Sequence, residues 1–170
     1  MIRVAVVDDE QLVRSGLRMI LGTARDIEVV ADCGGGAAVE AVRRCSPDVV
    51  LLDIRMPDTD GLTVLRALRG LPRPPVVAML TTFDADEYLS AALRSGAAGF
   101  LLKDTDPEQL VRAVRTLASG GSVLDPGVTR AVIGGYLAAD AAAPPGRGGR
   151  PHRHRRPRRR RRCSRTGGVP

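Results

Sequence analysis

Val49-Val50-Leu51-Leu52-Asp53-Ile54-Arg55-Met56-Pro57, residues 49–57, begins with the most continuous aliphatic run in the chain and ends that run on an acid. Four branched apolar residues in a row, with no polar alternation, predict a strand buried on both faces, as at the centre of a parallel sheet. Pro57 and Gly61 mark a loop just beyond, so Asp53 falls at the carboxyl end of that strand. Upstream, Arg3–Val7 and Ile27–Cys33 read as two more strands. Between them Gln11–Gly22 has helical spacing, with Leu12, Leu17, Ile20 and Leu21 assigned to its inner side. Ala37–Cys45 reads as a short helix ended by Ser46-Pro47. Downstream come a helix over Leu62–Leu68, a break at Pro72, Pro74 and Pro75, and a fourth strand at Val76–Leu80. A helix over Asp84–Ser95, with Gly96 as its cap, leads to a fifth strand at Gly99–Leu102. Asp106-Pro107-Glu108 starts the last helix, with Asp as N-cap and Pro at the first helical position, and that helix runs to about Ser119. Five strands alternating with five helices predict an α/β domain whose parallel sheet is covered on both sides.

The 170 residues suffice for one domain of ordinary size. Hydrophobic residues make up 44% and aromatics only 2%, so the core must be built from Leu, Val, Ile and Ala. No run approaches eighteen apolar residues, which excludes a membrane-spanning helix on sequence grounds. The N-terminus reaches acids after one short apolar run, too short for a secretory leader, so a cytoplasmic protein is expected. Cys33, Cys45 and Cys163 are widely spaced and form no CxxC pair, and they are assigned neither a disulfide nor a metal. The net charge of +7 hides two unlike parts. Residues 144–170 carry eleven Arg and no acid, whereas the rest holds fifteen basic residues against nineteen acidic ones.

Ligands of open parallel sheets bind outside the carboxyl ends of the strands. There the first strand delivers Asp8-Asp9-Glu10, the third Asp53, the fourth Thr81-Thr82 and the fifth Lys103-Asp104. Three clustered carboxylates repel one another unless a cation lies among them. A hard divalent ion with oxygen ligands relieves the repulsion, and Mg²⁺ suits a site with few protein ligands and several waters. The Lys103 ammonium and the Thr81 hydroxyl complete a set able to hold a phosphoryl oxygen. Phosphoryl transfer needs mostly positioning and charge neutralisation, so Asp53 as carboxylate nucleophile, a metal and a lysine suffice. Taken singly, each feature has an ordinary reading: an acid pair capping a helix, a surface lysine, a strand threonine. Their delivery by four separate strands sets them apart.

The chain resembles the response regulator receiver domains of two-component systems, in the NarL/FixJ-like subgroup, over residues 1 to about 120. The matching pieces are Val6-Val7-Asp8-Asp9-Glu10, Leu51 through Gly61, Met79-Leu80-Thr81-Thr82 and Gly99-Phe100-Leu101-Leu102-Lys103. The fold expected is a doubly wound, flavodoxin-like α/β domain with a five-stranded parallel sheet, strand order 2-1-3-4-5, and helices on both faces. The resemblance implies that Asp53 is the phosphoacceptor. It also implies that Asp9, Asp53 and the backbone carbonyl of Arg55 bind Mg²⁺ directly, with Asp8 acting through water. Thr81 would hydrogen-bond the phosphoryl group, Lys103 would pair with it, and Phe100 would be a switch aromatic that turns inward on activation. A histidine kinase is the implied phosphodonor, and a homodimer through the receiver surface is a further implied partner. Many receivers carry Pro after the lysine; here Asp104 stands there, a mark of the subgroup.

Residues 121–143 are expected to be a linker with an extra helix over Val128–Ala143, and residues 144–170 a disordered Arg-, Pro- and Gly-rich tail. Relatives in the subgroup usually continue into a DNA-binding helix-turn-helix domain, and no such pattern can be written beyond Ala143. Three readings of the tail stay open. It is an out-of-frame segment that replaces the output domain, a basic arm binding nucleic acid without sequence preference, or a solvated tail without a role. For the body there are two rivals. A dehalogenase-type hydrolase needs a second acid two residues after its nucleophile, where this chain has Arg55. A pseudo-receiver acting only as an interaction module is disfavoured by the complete set Asp8, Asp9, Asp53, Thr81 and Lys103.

Overall fold

The computed structural model describes residues 1–82, 86–126 and 128–129. The elements run β1 (Ile2–Val7), α1 (Gln11–Leu21), β2 (Ile27–Cys33), a 3-10 turn (Gly35–Ala37), α2 (Ala38–Cys45), β3 (Val49–Asp53), α3 (Gly61–Arg69) and β4 (Val76–Thr81). They continue with α4 (Asp86–Arg94), β5 (Gly99–Leu102), α5 (Pro107–Ala118) and β6 (Val123–Leu124). The sheet order is β2-β1-β3-β4-β5-β6, with every neighbouring pair parallel. This is the doubly wound α/β architecture expected from the sequence.

Strand alternation divides the core between the two faces. Ala5, Val7, Val50, Leu52, Val77, Met79, Phe100 and Leu102 point to one face and pack on α2, α3 and α4. Val4, Val6, Val49, Leu51, Ala78, Leu80 and Leu101 point to the other and pack on α1 and α5. All five residues of β3 are buried, which accounts for its unbroken apolar sequence: both neighbours along the strand meet helices.

Local signals set the helix ends. Asp106 caps α5, accepting from the Glu108 and Gln109 N–H groups at 2.9 and 3.3 Å, with Pro107 in the first turn. Asp60 caps α3 through the Leu62 N–H. Ser46 closes α2 in the left-handed region, with φ +43°, before Pro47 bars continuation.

Two readings need amendment. Leu12, assigned to the inner side of α1, is 85% exposed. It precedes the buried Leu17 by five residues, so at 100° per residue it lies about 140° round the helix. Val13 takes the inward place instead. The second amendment is β6, which the sequence reading left inside a linker. Gly120, with φ +85°, and Gly121 turn the chain back beside β5, where the Val123 N–H donates to the Ala98 carbonyl at 3.2 Å. Residues 130–143 of the expected extra helix and the whole of residues 144–170 lie outside the described residues, as do residues 83–85 at the expected start of the fourth helix. Among the described residues no helix is long and apolar enough to cross a membrane.

Candidate phosphoryl-transfer site

Parallel strands end on one edge, and β1, β3 and β5 bring three charged side chains to a single point there. Lys103, just past β5, puts its ammonium 2.8 Å from Asp8 Oδ2 and 3.1 Å from Asp53 Oδ2. The same ammonium lies 3.4 Å from Glu10 Oε1. Asp8 is fully buried and Asp53 is 3% exposed. Lys103 is fixed by its backbone, because its N–H donates to the Thr81 carbonyl at 2.8 Å and continues the β4–β5 ladder.

The two aspartates are held by short local bonds. Asp8 Oδ1 accepts from the Glu10 N–H at 2.8 Å, and the Asp8 carbonyl accepts from the Arg14 guanidinium at 2.6 Å. Asp53 Oδ1 accepts a long bond from the Arg55 N–H, 3.4 Å. The start of α3 presses on the end of β3: a Cβ at Gly61 would come within 2.2 Å of the Asp53 carbonyl oxygen. Only glycine lets the loop over residues 54–60 close that tightly.

Burial pushes the Asp53 carboxyl above the ordinary aspartate range, the Lys103 ammonium opposes that push, and the neighbouring Asp8 adds to it. Burial works against the charge of Lys103, yet its bonds to Asp8 and Asp53 outweigh burial and raise its pKa. An acid pair on one ammonium is a strained balance: Asp8 Oδ2 has no hydrogen-bond donor in good geometry, only the ionic contact.

The other expected residues make contacts of their own, outside the Asp8–Lys103–Asp53 cluster. Asp9 Oδ1 accepts from the Gly35 N–H at 3.0 Å, beside Gly34, whose missing side chain leaves it room. The Thr81 hydroxyl donates to the Thr82 carbonyl at 2.9 Å. Phe100 is 1% exposed, inside the core on the α3–α4 face. Among the described residues no three carboxylate, histidine or cysteine side chains are drawn together as a ready metal cage. Arg14 and Gly35 contribute to the site beyond the residues read from the sequence: Arg14 stands in the first turn of α1, where its guanidinium reaches back to the Asp8 carbonyl. Cys33 and Cys45 are free and half-buried, and the Cys33 carbonyl accepts from the Asp8 N–H at 3.0 Å.

Residues 4–115 match the response regulator receiver domain family. The chain belongs to that family. Among curated relatives, this receiver is 39% identical over 136 residues to the transcriptional regulatory protein DegU of Brevibacillus brevis, covering 79% of this chain and 58% of that one. It is 42% identical over 122 residues to the nitrate/nitrite response regulator protein NarP of Escherichia coli, covering 71% and 57%. Among solved structures it resembles the signal receiver domain of NarL from Mycobacterium tuberculosis, with 40% identity and a TM-score of 0.66, covering 70% of this chain and 97% of that one. The chain thus spans a little over half the length of the first curated relatives it matches.

Proposed function

We propose that this receiver accepts a phosphoryl group on Asp53 from a phosphohistidine of a histidine kinase and passes the change on to transcription control. The observation that carries the reading is the convergence of Asp8, Asp53 and Lys103 within 3.1 Å contacts at one sheet edge. A carboxylate of Asp53 attacks phosphorus, the O–P bond forms, the N–P bond breaks, and the imidazole leaves with the electron pair. Lys103 is already within ion-pair distance of Asp53 and would follow the charge onto the new phosphoryl oxygens. Thr81 would exchange its bond to the Thr82 carbonyl for one to the phosphoryl group.

The donor set also fits a hard divalent cation, because its carboxylates offer oxygen only and the buried Asp8 Oδ2 is met by nothing but the Lys103 ammonium. Asp8, Asp9 and Asp53, with the Arg55 carbonyl, would hold Mg²⁺, which when bound neutralises charge on the incoming phosphoryl oxygens. On this reading the protein is a phosphoacceptor that assists its own phosphorylation and dephosphorylation, not an enzyme turning over an external substrate. The relatives' names, a transcriptional regulatory protein and a nitrate/nitrite response regulator, support a role in transcription. A cytoplasmic location and a homodimer through the receiver surface belong to the same reading.

The test is incubation of the full chain with acetyl phosphate and Mg²⁺, followed by intact-protein mass measurement. One phosphoryl adduct is expected for the wild type and none for Asp53→Ala. An adduct of equal yield on Asp53→Ala overturns the assignment.

A further inference from the structure

Lys103 stands just past β5, and the backbone there is held from both sides. On the β4 side the Lys103 N–H donates to the Thr81 carbonyl at 2.8 Å. On the other side lies β6, a two-residue strand beyond the stretch that matches the receiver family. β6 runs parallel to β5, with Val123 beside Gly99 and Leu124 beside Phe100, so it ends at the phosphoacceptor edge. Its approach needs a glycine, because a Cβ at Gly99 would come within 2.9 Å of the Val123 carbonyl oxygen. The Asp125 N–H continues the ladder to the Phe100 carbonyl at 3.0 Å. Asp125 Oδ2 then accepts from the Thr105 hydroxyl at 3.2 Å, two residues past Lys103. Val128 enters the core that contains Phe100 and Leu102 and anchors the segment from beyond.

We propose that Thr105 is a positioning residue for phosphoryl transfer: through Asp125 it braces the Lys103 loop against β6, so a strand outside the matched receiver stretch sets where the lysine sits. The inference rests on the reading of Asp53 as phosphoacceptor. A lysine side chain is a flexible stem, and its ammonium keeps a fixed place only when the backbone beneath it is fixed. Held at Thr81 alone, the Lys103 loop can pivot about that one bond; the tie from Thr105 removes the pivot. A hydroxyl donating to a carboxylate makes a charge-assisted bond. Thr105 and Asp125 are both half-buried, which limits the competition from water. The Lys103 ammonium serves Asp8 at 2.8 Å and Asp53 at 3.1 Å, which leaves little tolerance for displacement. A shift of about 1 Å in a group that takes part in the chemistry can slow a reaction by up to about a hundredfold.

Three variants of the full-length chain test the brace. Thr105→Val keeps the branched shape and loses the hydroxyl, and Thr105→Ser keeps the hydroxyl. Val123→Pro removes the N–H that ties β6 to the Ala98 carbonyl and leaves Thr105 and Asp125 in place. The chain has a single lysine, so amine acylation beyond the N-terminus reports Lys103 alone. With an N-hydroxysuccinimide acetate reagent, and neither metal nor phosphodonor, peptide mass measurement should show Lys103 acylated about three- to tenfold faster in Thr105→Val and Val123→Pro. Phosphoryl uptake from acetyl phosphate with Mg²⁺ should slow in the same two variants by about three- to tenfold, with Thr105→Ser within about twofold of wild type in both assays. In a Lys103→Met background, Thr105→Val should slow uptake no further, whereas a merely structural hydroxyl would slow it again. Wild-type rates in a folded Thr105→Val or Val123→Pro, a Thr105→Ser as impaired as Thr105→Val, or equal slowing in the Lys103→Met background overturns the brace while leaving Asp53 as acceptor. An acetyl phosphate adduct that survives Asp53→Ala overturns the acceptor reading and with it the role in transfer, while the acylation of Lys103, which involves no phosphoryl chemistry, still reports whether Thr105 holds the loop.

Discussion

Replacing Lys103 by Met tests the charge balance on which the site is built. The substitution removes an ammonium lying 2.8 Å from Asp8 Oδ2 and 3.1 Å from Asp53 Oδ2. Neither carboxylate can turn to water, since Asp8 is fully buried and Asp53 nearly so. Breaking a buried pair by deleting one partner costs about 3–5 kcal/mol. Protonation sets a ceiling: a carboxyl of ordinary pKa 3.8 is neutralised at pH 7 for about 4 kcal/mol, at ~1.36 kcal/mol per unit. Asp53 already sits above that value through its burial, so its neutralisation is cheaper. A loss of about 3 kcal/mol at pH 7 follows. The pH dependence has a definite sign. A carboxyl whose pKa is raised by folding binds its proton more tightly in the folded state, so stability falls as pH rises through the folded pKa. Without Lys103 that pKa rises further, and the deficit of the variant shrinks as the solution is acidified. The assay is urea unfolding followed by far-UV circular dichroism at pH 7 and pH 5, with a chelator present. At a slope of about 1–3 kcal/mol per molar urea, the midpoint at pH 7 drops by roughly 1–3 M. A variant as stable as wild type at pH 7, or a deficit that widens on acidification, would refute the balance described for Asp8, Asp53 and Lys103.

Three further outcomes follow from other parts of the fold. Gly61→Ala sets a methyl against the Asp53 carbonyl and Ile54 backbone, so a loss of about 1–3 kcal/mol is expected in thermal melts, with slower uptake of phosphoryl from acetyl phosphate. Ser46→Gly relieves the one left-handed non-glycine residue among the described residues and should gain up to about 1 kcal/mol by urea unfolding, with phosphorylation unchanged. The Arg115 guanidinium holds Asp26 down to about 2, and NMR titration of Arg115→Ala should return Asp26 toward 3.8; an unchanged titration would mean the two-bond contact does not persist in solution.

Much of this site is written in the order of residue types. In a parallel sheet every strand ends on the same edge, so acids after the first and third strands and a lysine after the fifth must converge, as Asp8, Asp53 and Lys103 do. The caps at Asp60 and Asp106 are equally local and equally legible. What was hidden depends on partners distant in sequence. The bond from Gly35 to Asp9 needs the path of the chain after β2, and nothing in a glycine run says which carboxylate it will meet. The cation–π contact of Arg55 with the Tyr88 ring needs the placement of α4 against the loop that follows Asp53. β6 has only two residues, too few to show any period, and exists because the turn at Gly120 and Gly121 lays them beside β5. The error at Leu12 has a simpler origin: two adjacent apolar residues compete for one inner position, and Val13 has the better angle to Leu17.

The most direct measurement traps the modified residue chemically. Acyl phosphates are reduced by borohydride, so a chain charged with acetyl phosphate and Mg²⁺, then reduced and digested, carries homoserine wherever the phosphoryl group had been. Peptide sequencing by tandem mass spectrometry should find homoserine at position 53 alone. Homoserine at Asp8 or Asp9, or none anywhere in a chain that retains its fold, would contradict the assignment of Asp53 as the acceptor.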